Sequence, residues 1–236
     1  MSLTLEQIKK LHQKKYRKEF QTLLIEGEHL ISELEKTAFV NCELLLSEKY
    51  TELNSRFPKR FLTNQQLKKI SEVDNPQGIA ALVPIDNFSQ IKPALRTLYL
   101  EEVQDPGNLG TILRTVAWFG GFNVWLSPGS VDPFNSKVVR ASMGSIFHVP
   151  IRQNVPFNHV SSTFKSLSYL DLNGAPLSTP SFQNSDCLIF GNEGRGVSQS
   201  VRIHPKSEAY SISGNGTIES LNLATAVNMS LYELNR

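Results

Sequence analysis

Cysteine is nearly missing from this chain: its 236 residues contain only Cys42 and Cys187. They form no CxxC pair, which excludes a disulfide framework or a cysteine zinc site as the organising device. Both thiols are expected to be reduced and mostly buried. Long apolar runs are missing too, since no stretch approaches the ~18 residues a membrane span requires. The start, MSLTLEQIKKLHQKKYRK, lacks the apolar h-region of a signal peptide, so a cytoplasmic protein with no membrane partner is expected. There is no internal repeat and no low-complexity segment. Net charge is only +2 and names no partner by itself.

What is present is an ordinary globular composition, 40% hydrophobic, in a chain long enough for two modest domains or one large one. Charge is unevenly spread. Residues 1–20 hold Lys9, Lys10, Lys14, Lys15, Arg17 and Lys18 against Glu6 and Glu19. Such a stretch is either a site for a phosphate backbone or a solvated helix face.

Thr4-Leu-Glu-Gln7 has the form of a capping box, which predicts a helix over 4–18. Strands are expected at 20–25, 43–46 and 78–84, with helices after Gly27 through Glu35 and over 62–71. Residues 1–85 therefore alternate α and β, and 86–96, with Pro93, reads as a linker. A second α/β unit follows. It has strands at 98–103, 122–126, 170–172, 187–190 and 209–212, and helices at 109–119, 136–143 and 221–234. Leu223, Val227 and Leu231 form an apolar stripe on the last helix.

Three segments carry the chemistry, each where an expected strand hands over to a loop or helix. In α/β folds ligands bind at such strand ends. The first is Asp105-Pro-Gly-Asn108 running into Arg114-Thr115. Asn108 suits a helix N-cap. Arg114, nearly two turns on, is expected on a roughly similar face, where it is either solvated or able to fork onto a phosphate or carboxylate. The second is Gly191-Asn-Glu193-Gly194-Arg-Gly196 after Cys187–Phe190. Its glycines permit close backbone approach, but the spacing is not that of a dinucleotide fingerprint, and no Gly-Lys-Ser/Thr follows as in a Walker loop. Glu193 is either a cap or a site residue. The third is Ile218-Glu219-Ser220-Leu221-Asn222-Leu223, with Ser220 as expected N-cap and Asn222 facing a ligand.

Together these segments resemble the SpoU (TrmH-like) family of RNA ribose 2′-O-methyltransferases, in the SPOUT superfamily. The N-x-G-x-x-x-R-T…F-G motif is matched by Asn108, Gly110, Arg114-Thr115 and Phe119-Gly120. The G-x-E-x-x-G motif is matched by Gly191, Glu193 and the glycines that follow, and the S-L-N motif by Ser220-Leu221-Asn222 after Ile212 and Gly216. Arg140-Ala-Ser142-Met-Gly144, Phe147 and Pro150-Ile151 are similar to the segment between the first two motifs. Ser213 and Gly214 depart from the usual Pro and Met, beside the expected cofactor pocket. Ile25-Glu-Gly-Glu28 and Gln77-Gly-Ile-Ala80 resemble the ribosomal-protein-type domain often fused upstream.

The resemblance implies an α/β fold: a C-terminal α/β-knot (trefoil-knotted, mostly parallel sheet) over 97–236, and a smaller N-terminal α/β substrate-binding domain over 1–90. It implies S-adenosylmethionine as cofactor, held near Phe190, Gly191, Ile212, Leu221 and Leu223. It also implies an RNA substrate, tRNA or rRNA, and a homodimer packed through the last helix, which the Leu223, Val227 and Leu231 stripe suits equally as intrachain core. Arg114 would act on the ribose, oriented with it by Asn108, Glu193, Ser220 and Asn222. An arginine stays protonated, so a clamp on phosphate and developing oxyanion suits it better than a base. No metal is implied. The competing readings are a non-catalytic RNA-binding protein that retains the fold and a methyltransferase acting on a base or small molecule.

Overall fold

The computed structural model describes residues 3–218 and 220–236. Glu219 of the third segment, and the Met1-Ser2 start of the basic N-terminal stretch, lie outside the described residues. In chain order the elements are α1 (Leu5–Lys10), α2 (Lys14–Phe20), β1 (Thr22–Glu26), α3 (Glu28–Glu35), β2 (Glu43–Leu46), β3 (Lys59–Phe61), α4 (Asn64–Ile70) and β4 (Ile79–Pro84). Then come β5 (Arg96–Leu100), α5 (Pro106–Phe119), β6 (Phe122–Leu126), α6 (Ser136–Ala141), β7 (Ile151–Arg152), α7 (Phe157–Thr163) and β8 (Leu167–Pro176). The chain ends with α8 (Pro180–Gln183), β9 (Cys187–Phe190), α9 (Gln199–Arg202), β10 (Ser207–Ser211) and α10 (Leu223–Leu234). Two compact units result. One runs to Ile91 and takes in Asp132–His148; the other comprises Lys92–Val131 and Val149–Arg236.

The first unit is built on a four-stranded sheet ordered β1-β4-β2-β3. β4 pairs antiparallel with both β1 and β2, while β3 is parallel to β2. β4 is central and buried from Ile79 to Val83, which accounts for its unbroken apolar run. Ile8 of α1, its C-cap Leu11, and Leu67 and Ile70 of α4 pack with Leu24, Leu45 and Leu82 of the sheet. Capping boxes at Thr4–Gln7 and Thr63–Gln66 start α1 and α4.

The single helix expected over 4–18 is broken. α1 ends at Lys10, and Gln13 is extended before α2 begins. The cause is Arg17, whose side chain turns inward. Its Nη1 donates to the carbonyls of Leu11 and His12, both at 2.8 Å, and its Nη2 pairs with Asp132 at 2.7 Å. Arg17 is only 4% exposed. The basic surface expected over 1–20 therefore loses one member to the interior.

The first half of the expected linker at 86–96 is structured, and the boundary between the two units falls within it, after Ile91. Ile85–Gln90 forms a 3-10 turn, and the buried Asn87 side chain bonds the main chain of Val40 in both directions, at 2.9 Å each. Phe88 packs against Phe39 at 5.0 Å and Phe134 at 4.8 Å between ring centroids. Asn87 and Phe88 thus anchor an otherwise largely exposed stretch, because one amide satisfies a neighbouring segment while one aromatic ring packs against two others.

The second unit carries a six-stranded sheet ordered β10-β8-β9-β5-β6-β7, with every ladder parallel. From β5 the chain moves outward to β6 and β7, then crosses over to β8, β9 and β10. The order therefore reverses between β5 and β9, and the crevice beyond their carboxyl ends is the expected ligand position for such a sheet. β8 is longer than expected because it continues past a register shift at Ala209/Tyr210 of β10. There a Cβ on Gly174 would lie 2.4 Å from the Tyr210 backbone nitrogen. α10 packs on α5. Val227 and Leu231 are fully buried within the chain, so two members of the apolar stripe on α10 are core.

Burial pushes the Cys42 thiol up to about 11 and raises that of Cys187 further. Both are therefore expected to resist thiol reagents in the native state and to react on unfolding. A second outcome concerns Arg17. Asp132→Ala leaves a buried guanidinium without its carboxylate and is expected to cost about 3–5 kcal/mol, measured as a lower urea midpoint with unchanged slope.

Candidate active site

β5 and β9 end side by side, Leu100 opposite Phe190, and their following loops meet. The loop after β9 folds on Asn192. Its Oδ1 accepts from the N–H groups of Gly194 at 3.0 Å and Arg195 at 3.2 Å, and its Nδ2 donates to the Glu102 carbonyl at 2.9 Å. The return is so tight that a Cβ on Gly191 would sit 2.0 Å from the Gly196 carbonyl carbon. Only glycine permits that approach.

This fold projects Glu193 onto the loop leading into α5. Its carboxylate accepts from the backbone N–H of Gln104 at 3.3 Å and of Asp105 at 3.3 Å, and from Asn108 Nδ2 at 3.2 Å. A negative charge is favourable at this end of α5, where main-chain N–H groups and the helix dipole face it. Asn108 Oδ1 accepts from Asn222 Nδ2 at 2.9 Å. The Asn222 Oδ1 caps α10, accepting from the N–H of Ala224 at 2.9 Å and Thr225 at 3.3 Å. One residue from each of the three segments thus enters a single polar chain, Glu193–Asn108–Asn222.

Two cap assignments change. α5 is capped by Asp105, which accepts from Asn108 N–H at 2.7 Å, with Pro106 at the first helical position. α10 is capped by Asn222, two residues beyond Ser220. A side chain that accepts from the second and third N–H groups needs an extended residue at the cap, and Asp105 and Asn222 have that backbone. Asn222 therefore caps α10 and holds Asn108 at once.

Ser220 lies elsewhere, in a cavity of about 350 Å³ with Ile212 and Leu221. Leu170, Asp171, Leu172 and Asn173 at the bend of β8 complete one wall, and Gly196, Arg202 and Ala226 the rest. Of the expected cofactor residues, Ile212 and Leu221 line this cavity. Phe190 is buried and its carbonyl accepts from Glu101 N–H at 2.8 Å. Gly191 forms the tight return behind Gly196, and Leu223 starts α10. Ser213 and Gly214 do not line the cavity, and a Cβ at Gly214 would meet nothing within 4 Å. The β8 residues carry no signal in the sequence, because Leu-Asp-Leu-Asn resembles any strand end. Asp171 pairs with Arg202. The N–H of Asn173, and then Arg202, hold its carboxyl below the usual range, so the cavity wall carries a charged carboxylate at neutral pH.

Arg114 does not join the polar chain. It is exposed and lines a separate groove with Thr111, Thr115, Trp118, Phe119 and Asn228. Six residues at about 100° each leave Asn108 and Arg114 some 120° apart around the helix, so the expectation of a common face fails. Thr111 and Asn228 also line the groove that holds Asn108 and Asn222. The same surface exposes Trp118 at 85% and Tyr232 at 58%.

A parallel sheet with a glycine-rich return and a carboxylate–amide chain at its reversal point, and a partly apolar cavity at the end of β8, defines a ligand-binding α/β protein of the strand-end type. Comparison with known proteins narrows this. Residues 96–232 match the family model described as SpoU rRNA Methylase family, and residues 4–81 match the MRM3-like substrate binding domain. The chain belongs to the SpoU rRNA methylase family. It is 35% identical over 234 residues to the 23S rRNA (guanosine(2553)-2'-O)-methyltransferase RlmP of Bacillus subtilis, covering 96% of this chain and 93% of that protein. A TrmH-family RNA methyltransferase structure from Porphyromonas gingivalis superposes with a TM-score of 0.85 at 30% identity, covering 100% of this chain and 99% of that one. An AdoMet-bound rRNA methyltransferase from Sinorhizobium meliloti does so at 0.79 and 25% identity, covering 98% and 93%.

The glycine return provides a direct test. Gly191→Ala is expected to displace the Gly196 backbone and weaken S-adenosylmethionine binding by about tenfold or more, ~1.4 kcal/mol. Gly214→Ala, facing open space, is expected to bind normally. Calorimetric titration of both variants checks the pair.

Proposed function

We propose that this protein transfers a methyl group from S-adenosylmethionine to a ribose 2′-hydroxyl of RNA, ribosomal or transfer. The observation that carries the reading is the Glu193–Asn108–Asn222 chain where the loops after β5 and β9 meet, together with the cavity lined by the end of β8, Gly196 and Ile212, whose Ser220 and Leu221 directly precede Asn222. The cavity fits the cofactor. Its volume falls in the range of small-molecule sites; Leu170, Leu172, Ile212 and Leu221 offer apolar walls for a purine, and Asp171 offers a carboxylate to the hydroxyl and cationic groups. When bound, S-adenosylmethionine supplies an activated methyl on a sulfonium. A relative acting on 23S rRNA that matches nearly the whole chain favours ribosomal RNA.

The residues then divide the work. A ribose hydroxyl is a weak nucleophile until it is oriented and relieved of its proton. Glu193 fixes the Asn108 amide, and Asn108 fixes Asn222, so the site is ordered before substrate arrives. Ser220 and Leu221 close the cavity. The Arg114 guanidinium would clamp the substrate phosphate and the developing oxyanion, and the 2′-hydroxyl proton would pass to that phosphate as the ribose oxygen takes the methyl and the sulfonium is left as a thioether. Holding both reactants together supplies much of the acceleration.

We assign the functional unit to a homodimer joined through the exposed surface of α5 and α10, where Trp118, Met229 and Tyr232 are uncovered. Arg114 sits on that surface and has no hydrogen bond to the polar chain of its own protomer, so a second copy gives it a ribose to act on. The N-terminal part serves as the RNA substrate-binding domain, the C-terminal part follows the family's trefoil-knotted path, and the protein works in the cytoplasm with its RNA.

With labelled cofactor and ribosomal RNA, the label is expected at a ribose, where it makes the adjacent phosphodiester resistant to alkali. Label on a base, or none, sinks the reading. Arg114→Ala is expected to reduce turnover by about 10²-fold or more with cofactor affinity retained. In sedimentation the wild type is expected as a dimer at micromolar concentration and Trp118→Asp as a monomer; a wild-type monomer removes the dimer.

A further inference from the structure

The N-terminal helices carry a charge arrangement that the methyl-transfer site does not use. Lys9 and Lys10 of α1, Lys14, Lys15 and Lys18 of α2, and Lys68 and Lys69 of α4 are all exposed. α1 packs against both α2 and α4, which places them in one layer. Lys69 is neutralised by Glu6 at 2.5 Å. Among the described residues the other six form no ion pair, and Glu19 is the one unpaired carboxylate on these three helices.

Two of these ammonium groups are brought together by the fold. Lys10 Nζ lies 5.2 Å and Lys15 Nζ 5.6 Å from the centroid of the same Tyr16 ring. That ring is stacked on Phe20 at 6.2 Å and 16°. The break between α1 and α2, fixed by the inward Arg17, is what folds Lys15 back toward Lys10. The ring attracts both cations, and neither forms an ion pair among the described residues. Glu6 lies within electrostatic reach of Lys9 and Lys10, and the exposed ammonium groups around the ring leave a net positive surface that suits phosphodiesters.

We propose that the exposed face of α1, α2 and α4 docks the phosphate backbone of the RNA substrate, with Tyr16 as the positioning residue that holds Lys10 and Lys15 together. Several lysines in one layer match successive phosphates of a strand better than one free ion. A lipid surface is the poorer partner, because none of the large exposed apolar side chains lies on these helices and membrane-surface helices need an apolar face to insert. The RNA partner rests on the methyl-transfer reading; the surface itself does not.

The test uses the full chain and a variant with Lys9, Lys10, Lys14, Lys15 and Lys18 all changed to Ala, with an arginine counterpart at the same positions. Affinity for oligouridylate and for ribosomal RNA is measured across a salt series. The alanine variant is expected to bind about 30-fold or more weaker at about 0.1 M salt. Its slope of log affinity against log salt should flatten by about 0.7 for each phosphate that is no longer neutralised. The arginine variant should bind as wild type. KM for RNA should rise with kcat unchanged, and cofactor affinity should not move. Tyr16→Leu should lose part of the affinity and Tyr16→Phe should retain it. An unchanged slope and affinity in the alanine variant overturns the proposal, as does preferential loss of binding to phosphatidylglycerol vesicles or to inorganic phosphate. A wild type that methylates RNA while the alanine variant binds it equally well rejects the surface alone. A wild type that binds RNA through this face but transfers no methyl group rejects the methyl-transfer reading alone.

Discussion

The Glu193 carboxylate is the interaction on which the site depends. It accepts from two main-chain N–H groups ahead of α5 and from the Asn108 amide, and so ties the loop after β9 to the loop after β5. Those loops leave adjacent strands at the point where the sheet order reverses. Without an acceptor between them, the N–H groups of Gln104 and Asp105 would face the opposite loop unpaired. Asn108, held on one side by Glu193, presents its oxygen to Asn222 on the other. The start of α10 is thereby set by the same chain of bonds.

The glycine return makes this placement possible. Gly191 and Gly196 approach so closely that no side chain is tolerated at Gly191. The Asn192 side chain supplies the hydrogen bonds that hold the turn. Glycine is usually read as flexibility, but here its role is distance. The loop is compact because the Cβ is absent, and compactness brings Glu193 over α5 while Gly196 forms part of the cavity wall.

A second device is the inward Arg17. It replaces helix hydrogen bonds at the end of α1 and takes its charge balance from Asp132. A buried ion pair of this kind contributes little net stability against an apolar alternative. Its consequence is geometric: it ends α1, starts α2 at a new angle, and leaves the lysines outward around Tyr16. The basic stretch visible in the sequence is thus divided into an interior cation with a structural duty and exterior cations without partners.

Much of the fold was legible because its cause is local. The unbroken apolar runs of β4 and β9 state that both faces are covered, the capping box at Thr4 marks where a helix begins, and the order of three motifs marks one composite site. The Asn108–Glu193–Asn222 convergence was foreshadowed by motif order, although each residue alone had a bland explanation as a turn or cap. What the sequence could not show depends on what a side chain meets at long range. Asn222, not Ser220, caps α10; Arg114 lies in a groove apart from Asn108; the end of β8 lines the cavity; Val227 and Leu231 are core. Periodicity and capping rules act over a few residues and so were determined by the sequence itself. Which loop meets which, and whether an arginine points to solvent, to a carboxylate or to an interface, was decided only when parallel strands distant in the chain were brought side by side.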